Sequence, residues 1–393
     1  MRAAKIAALV LAIAGAARPA AAAALSGIDV LARSDFAALA GKRVGVITNQ
    51  TAVDSSGRNT VDALFAAKSL TLAAIFSPEH GFRGDHRDGD HVSDSTDAAT
   101  GLPIYSLYGK TRRPTEAMLR GLDVLVFDIQ DVGARHYTYL STMALCMEEA
   151  AKRGLEFVVL DRPNPLGGEA LEGPVLEGPF DFTGYFPVPV RHGLTAGEME
   201  RLHADVKGLK LKLTVIRVAG WSRGDLYDAT GLRWINPSPN IRNLDAALLY
   251  PGLGLFEAAA VSVGRGTDEP FLWFGAPGLD AASVVRALEA AALPGLRFSE
   301  ESRTPTEDIY AGRPCRGVRI EVLDRSRVRA LDVFVRAVCA MRGQKDLRLD
   351  SAAPGKNLFR AVYDSVDPPE KILAGYEKSW RAFAASREKY LLY

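Results

Sequence analysis

The densest run of reactive side chains is EHGFRGDHRDGDH, residues 79–91. It carries Glu79, His80, Asp85, His86, Asp88, Asp90 and His91, and so three of the six histidines in the chain. A metal is the first chemistry to test. The spacing matches no H-E-x-x-H helix, and the aspartates lack the order of a calcium loop with its distal glutamate. The glycines between them read as a polar loop over a cleft, and no metal is expected. Glu79 differs from its neighbours because it follows an apolar segment and a proline. A carboxyl at the rim of a core is partly buried, and burial raises its pKa. Such a carboxyl holds its proton near neutral pH and can act as a general acid.

Three more polar clusters follow apolar segments. Asn49-Gln50-Thr51 follows RVGVIT (43–48). Asp128-Ile129-Gln130-Asp131, with Arg135, His136 and Tyr137 beyond it, follows LDVLVF (122–127). Asp161-Arg162-Pro163-Asn164-Pro165 follows EFVVL (156–160). Each alone is ordinary turn chemistry, but four in succession read as a site. Arg191-His192-Gly193, the proline-stiffened segment 236–240 and Gly264-Arg265-Gly266-Thr267-Asp268 are further marks. The last can aim Arg265 and backbone amides at an anion or a sugar carboxylate. Trp234, Phe271, Trp273 and Phe274 lie nearby and suit either a core or the apolar face of a sugar ring.

The elements that must position these residues alternate. Apolar strand patterns at 43–48, 70–76, 122–127, 156–160 and 210–218 are separated by helical patterns at 59–67, 138–153 and 195–206. Continuous apolar strands between helices predict a parallel sheet covered on both faces, a Rossmann-like, doubly wound α/β arrangement. In such sheets ligands bind beyond the carboxyl ends of the strands, which is where the four clusters fall. Residues 221–254 read as a long crossing loop. Beyond them, helices at 281–292, 331–341 and 372–387 and a strand at 317–323 predict a smaller α+β domain. The expected division is therefore a signal peptide over 1–24, a Rossmann-like domain over 25–240 and a smaller domain over 241–393.

Composition limits the function. The chain has 393 residues, 48% hydrophobic and 24% charged, with a net charge of +1. There is no basic excess to neutralise phosphates, so a nucleic-acid partner is not expected. The glycines of a dinucleotide turn are missing after the first strand, and no phosphate loop or G-x-S-x-G elbow occurs. No cofactor is expected. Residues 1–24 combine a basic start, an apolar run from Ile6 to Ala17 and a small-residue tract ending in an A-x-A site near Ala22 or Ala24. That layout predicts an exported protein, periplasmic or secreted. The run is too short to span a bilayer, so no stable membrane anchor is expected. The three cysteines, Cys146, Cys315 and Cys339, permit at most one disulfide.

The strings SPEHGFRG, GLDVLVFDIQDVGARHYTYLSTM, VLDRPNPLGG, VPVRHGLTAGE, NPSPNIRN, YPG, SVGRGTDEPF and the terminal YLLY occur in order. Together they resemble the exo-β-N-acetylmuramidases of the NamZ type, glycoside hydrolase family 171, over about residues 27–393. The resemblance implies a Rossmann-like domain and a smaller one with the site in the cleft between them. It implies release of N-acetylmuramic acid from the non-reducing end of peptidoglycan fragments in cell-wall turnover, without metal or nucleotide. It places the catalytic acid on Glu79, in agreement with the burial argument. Asp128, Asp131 and Glu257 are candidates for the second catalytic role, unless the substrate's own 2-acetamido group attacks. The family motifs also point to Asn49, His80, Arg83, Gln130, Arg135, Tyr137, Asp161, Arg162, Asn164, His192, Ser238, Asn240, Arg265 and Thr267 as substrate-binding residues. Arg135, Arg162 and Arg265 are the candidates to pair with the lactyl carboxylate of muramic acid. Glu257 matches the family pattern, but the Gly-Thr-Asn that usually follows it is replaced here by Ala258-Ala259-Ala260. A non-catalytic exported sugar-binding protein is the main rival, and a metal-dependent hydrolase using the His-rich loop is a second.

Overall fold

The computed structural model describes residues 23–84, 86–87, 89–344 and 356–393. The expected signal peptide therefore lies outside the described residues except for Ala23 and Ala24, and Asp85 and Asp88 of the His-rich loop lie outside them too.

Seven strands form one sheet: β1 (Arg43–Thr48), β2 (Thr71–Ser77), β3 (Ser95–Thr96), β4 (Pro103–Ser106), β5 (Val124–Asp128), β6 (Glu156–Leu160) and β7 (Leu213–Ile216). Their order is β3-β4-β2-β1-β5-β6-β7. All neighbours pair in parallel except β3 with β4. Alternate residues of β5 explain why its sequence is apolar up to Asp128. Val124 and Val126 enter one core beside Ile28, Val44 and Leu64. Leu125 and Phe127 enter the other beside Met143, Phe157 and Met199. A strand covered on both faces has no polar side to show.

Local signals set the helix starts. Asn59 caps the helix Thr60–Ala66 by accepting from the Val61 amide. Thr195 caps Ala196–Lys207 in a reciprocal box with Glu198. The helix Tyr139–Arg153 ends at Gly154 in the left-handed conformation.

A second sheet of β8 (Trp273–Ala276), β9 (Leu296–Arg303) and β10 (Cys315–Val322) is antiparallel, in the order β8-β10-β9. The helices Ala281–Ala290 and Ala330–Met341 belong with it. The larger core continues through Leu248 and Phe256 into Phe274, Val318 and Phe334, so one apolar mass joins both sheets. Segment 221–254 is not the continuous loop expected. The helix Leu244–Leu253 forms within it despite Pro251, because Asn243 caps its start and nearly every residue is buried. Packing there outweighs a proline near the last turn. Cys146, Cys315 and Cys339 are all free. Among the described residues no helix is long and apolar enough to cross a membrane.

Candidate active site

A cleft of about 940 Å³ opens past the carboxyl ends of β2 and β4 and is closed on its other side by loops around β8 and β9. Six of the residues expected as catalytic or substrate-binding line it, Glu79, His80, Tyr137, Asn240, Glu257 and Arg265, together with His136 of the same polar cluster.

Glu79 is the second residue after β2 and is half-buried. Both of its oxygens are held. Thr138 Oγ1 donates to Oε2 at 2.5 Å, and the Gly89 amide donates to Oε1 at 3.2 Å. His80 follows with φ +68° and Gly81 with φ +77°. Two left-handed residues in succession turn the chain sharply away from the strand. His80 Nδ1 lies 2.9 Å from the His86 carbonyl oxygen. Burial lowers the pKa of His80 and outweighs the nearby Glu79 charge. Tyr108, just beyond β4, also lines the cleft. Burial, with the Glu79 carboxyl beside it, pushes its hydroxyl up to about 12.

The floor is aromatic. His136 and Tyr137 pack on Tyr250, with ring centroids 4.7 and 5.7 Å away. Tyr137 also meets Tyr139 edge to face at 4.8 Å. Burial first, and Arg135 second, push His136 down to about 3, so it is neutral. A Cβ at Gly254 would lie 2.7 Å from His136 Nε2, which explains a glycine there.

The opposite wall carries Glu257, in the short turn Gly254–Ala258, and Arg265. Arg265 Nε and Nη2 both donate to Glu257 Oε1, at 2.9 and 2.6 Å. Asp308 Oδ2 is 3.9 Å from Arg265 Nε. Burial, then the Asp308 and Glu79 charges, push the Glu257 carboxyl up. The Arg265 guanidinium, donating at 2.6 Å, favours the ionised carboxylate and keeps the pair charged while it is closed. Ala259, Ala260 and Val261 continue this wall as an apolar strip.

The remaining expected site residues do not line the cleft. Asp128, expected as a catalytic candidate, is fully buried and bound through both oxygens by Arg162, with Thr60 Oγ1 on Oδ2 at 2.5 Å. Asp131 caps the next turn through the Gly133 amide at 2.7 Å and lies 3.4 Å from His192 Nε2. Asp161 accepts from Thr195 Oγ1, the Gly197 amide and Tyr393 Oη. Asn49 accepts from Thr51, Gln130 donates to the Pro163 carbonyl, and Asn164 donates to the Leu194 carbonyl. His192 Nδ1 accepts from the Leu194 amide. Arg135 donates to the Pro174 and Val188 carbonyls at 2.8 Å each, and burial pushes it down to about 10. Ser238 is buried beside Tyr137, and Thr267 donates to the Gly264 carbonyl. Arg83 is exposed and paired with Asp97 at 3.2 Å. The common reason is that polar residues after strands tie neighbouring loops and helix starts together.

Tyr108, Thr138, Tyr250 and Asp308 line the cleft and were not singled out. Thr138 carried a signal, since it adjoins Tyr137 in the RHYTY run. Asp308 carried none, because it sits in a loop after a mostly exposed strand. Among the described residues no group of three His, Cys, Asp or Glu is placed to hold a metal ion.

Two family models span this architecture. The N-terminal model of exo-β-N-acetylmuramidase NamZ matches residues 44–245, and the C-terminal model matches residues 248–393. The chain belongs to the NamZ family. It is 40% identical over 376 residues to the peptidoglycan β-N-acetylmuramidase NamZ of Bacillus subtilis strain 168, covering 94% of this chain and 91% of that protein. Two crystal structures of DUF1343 family proteins from Bacteroides fragilis NCTC 9343 have the same fold. One has a TM-score of 0.86 at 35% identity, over 94% of this chain and 99% of its own. The other has a TM-score of 0.77 at 28% identity, over 95% and 99%. The doubly wound sheet with its smaller antiparallel companion is thus the NamZ architecture.

Proposed function

We infer that this protein is a glycosidase, an exo-acting β-N-acetylmuramidase that releases N-acetylmuramic acid from the non-reducing end of peptidoglycan fragments. The observation that carries the reading is the pairing of Glu79 and Glu257 in one cleft. Each is held by donors from its own side, in a chain 40% identical to a peptidoglycan β-N-acetylmuramidase. Glycosidases need a proton donor at the leaving oxygen and a second group that supports the anomeric carbon. Glu79 gives its proton to the glycosidic oxygen. Its bonds from Thr138 and Gly89 fix the carboxyl so that no reorientation is needed at the transition state. Glu257 supports the developing positive charge, or the acetamido group that attacks in its place. Tyr137, Tyr250 and the neutral His136 give the sugar an aromatic bed.

The exported location is part of the same proposal. Ala24 is buried and its amide donates to the Thr230 carbonyl at 2.8 Å. This favours cleavage after Ala22, which leaves Ala24 in place. Action outside the cytoplasm suits a role in cell-wall turnover.

The test uses a chromogenic β-glycoside of N-acetylmuramic acid, with wild type and Glu79→Gln, each with and without chelator. Release by the wild type that resists chelator and is lost in the variant supports the reading. Tight sugar binding without release would move the protein to the binding class, and chelator-sensitive release would move it to the metal class.

A further inference from the structure

Three guanidinium groups were candidates for pairing with the lactyl carboxylate, and the structure separates them. Arg162 is tied to Asp128, away from the cleft. Arg135 is bound to two backbone carbonyls. Arg265 lines the cleft, with its guanidinium 5.4 Å from the Phe271 ring centroid. We propose that Arg265 reads the carboxylate of the muramic-acid lactyl arm, and that Glu257 holds its guanidinium as an internal stand-in until that carboxylate displaces it. The proposal rests on the muramidase reading and deepens it.

The geometry of the pair supports exchange. Both Arg265 donors converge on one oxygen of Glu257. A guanidinium binds a carboxylate best as a fork, with one N–H to each oxygen. An incoming carboxylate that adopts the fork gains what Glu257 does not supply. The pair is partly open, with side-chain exposures of 15% for Arg265 and 23% for Glu257. The adjoining wall fits the rest of the arm. A lactyl group carries a methyl on the carbon next to its carboxylate, and Ala259, Ala260 and Val261 line the same cleft as the cation. Among the described residues, the other charged or titratable groups around the pair are Glu79, Asp308, Glu307, His80 and Tyr250. Arg242 and Arg87 also line the cleft, but they suit the role less well. Arg242 is exposed and tied to the Pro239 and Thr267 carbonyls. Arg87 is 75% exposed and 3.4 Å from Glu307.

The experiment measures binding of two probes by calorimetry to full-length Glu79→Gln protein, in which turnover is expected to be too slow to consume them. One probe is the methyl β-glycoside of N-acetylmuramic acid. The other is the same glycoside with its lactyl carboxylate converted to a carboxamide. The parent is expected to prefer the carboxylate. Adding Arg265→Gln is expected to reduce that preference about tenfold or more, while carboxamide binding reports that the cleft is intact. Adding Glu257→Gln instead is expected to raise the preference several-fold, because the internal competitor loses its charge. An undiminished preference in Arg265→Gln would overturn the proposal and turn attention to Arg242 and Arg87. Loss of both probes by an Arg265→Gln protein that melts like its parent would overturn it too, by making Arg265 a general sugar contact. If Arg265→Gln does not fold, the Glu257→Gln arm decides alone, and no gain there refutes the stand-in. A folded parent that binds neither probe would bring down the muramidase reading, and this proposal with it.

Discussion

Asp128–Arg162 and Glu257–Arg265 are two carboxylate–guanidinium pairs of nearly equal length, 2.5 and 2.6 Å. Their surroundings are opposite. The first uses both carboxylate oxygens, takes a further bond from Thr60 and donates to the Val53 carbonyl, with the Asp128 and Arg162 side chains 0% and 6% exposed. The second uses one oxygen and lines an open cleft. The first is answered from within the fold and locks the end of β5 to the end of β6. The second closes its fork on a single oxygen, at the edge of the solvent. Similar residues thus do structural work on one side of the molecule and are available for chemistry on the other. Access, and a fork closed on one oxygen rather than two, make the difference.

The sharpest way to break this contrast is Glu79→Gln. Loss of the general acid is expected to cut kcat by about 10²–10⁴-fold. Melting should move little, because the glutamine carbonyl oxygen can accept from the Gly89 amide while its NH2 donates to the Thr138 hydroxyl, which can also accept. Steady-state kinetics and a thermal melt on the same sample decide it. Undiminished turnover would remove Glu79 from the mechanism.

The next effect concerns the two pairs directly. Arg162→Met leaves Asp128 buried without its partner, and removing one partner of a buried pair costs about 3–5 kcal/mol. A urea midpoint well below wild type is expected, with kcat of the surviving folded protein retained. Arg265→Met exposes a less buried carboxyl and is expected to shift the midpoint much less while lowering kcat/KM. Equal midpoints for the two variants would erase the distinction.

Asp161 extends the closed side to the C-terminus through Tyr393 Oη, at 2.8 Å. Burial pushes its carboxyl up to about 6 from 3.8, against the bonds from Gly197, Thr195 and Tyr393. The folded state therefore holds a proton that the unfolded state has lost between those two values. This group's contribution is fully present below pH 3.8, falls as pH rises to about 6, and is level above. The change is on the order of 3 kcal/mol. Asp161→Asn cannot ionise and should lose that slope. Urea midpoints of both proteins from pH 4 to 7 test this, and parallel curves would show that Asp161 titrates as in the unfolded chain.

The sequence made some of this visible and concealed the rest. Strands β1, β2, β5, β6 and β7 were legible because most of their residues are apolar and several are covered on both faces. Strand β4, Pro103–Ser106, is four residues long and only half buried, and β9 is largely exposed, so neither shows a clear apolar run. Glu79 was legible as the first charged residue after a buried strand. The same rule also selected Asp128 and Asp161, which the fold closes off. A strand-end pattern locates the rim of the sheet, but access to solvent depends on loops such as 305–312 that lie far away in sequence. Glu257 came only through the family resemblance, because nothing local distinguishes it from a helix-terminal glutamate.

Thr138 brings both kinds of reading to one residue. Sequence marks it as the start of the helix Tyr139–Arg153, and it does occupy the N-cap. Its hydroxyl nevertheless makes no capping bond. It donates to Glu79 instead. Thr138→Ala therefore takes no side-chain cap from the helix and removes one of the donors that aim the acid, beside the Gly89 amide and the Tyr108 hydroxyl. A hydrogen bond to a charged group is worth about 1.5–3 kcal/mol, and the Gly89 amide remains. The expected loss is about tenfold in kcat, near the lower end of that range, with little change in KM or melting temperature. Thr138→Ser keeps the hydroxyl and should restore most of the rate. A destabilised Thr138→Ala with normal kcat would mean that the hydroxyl serves the helix after all, and that Glu79 is positioned by Gly89 and Tyr108.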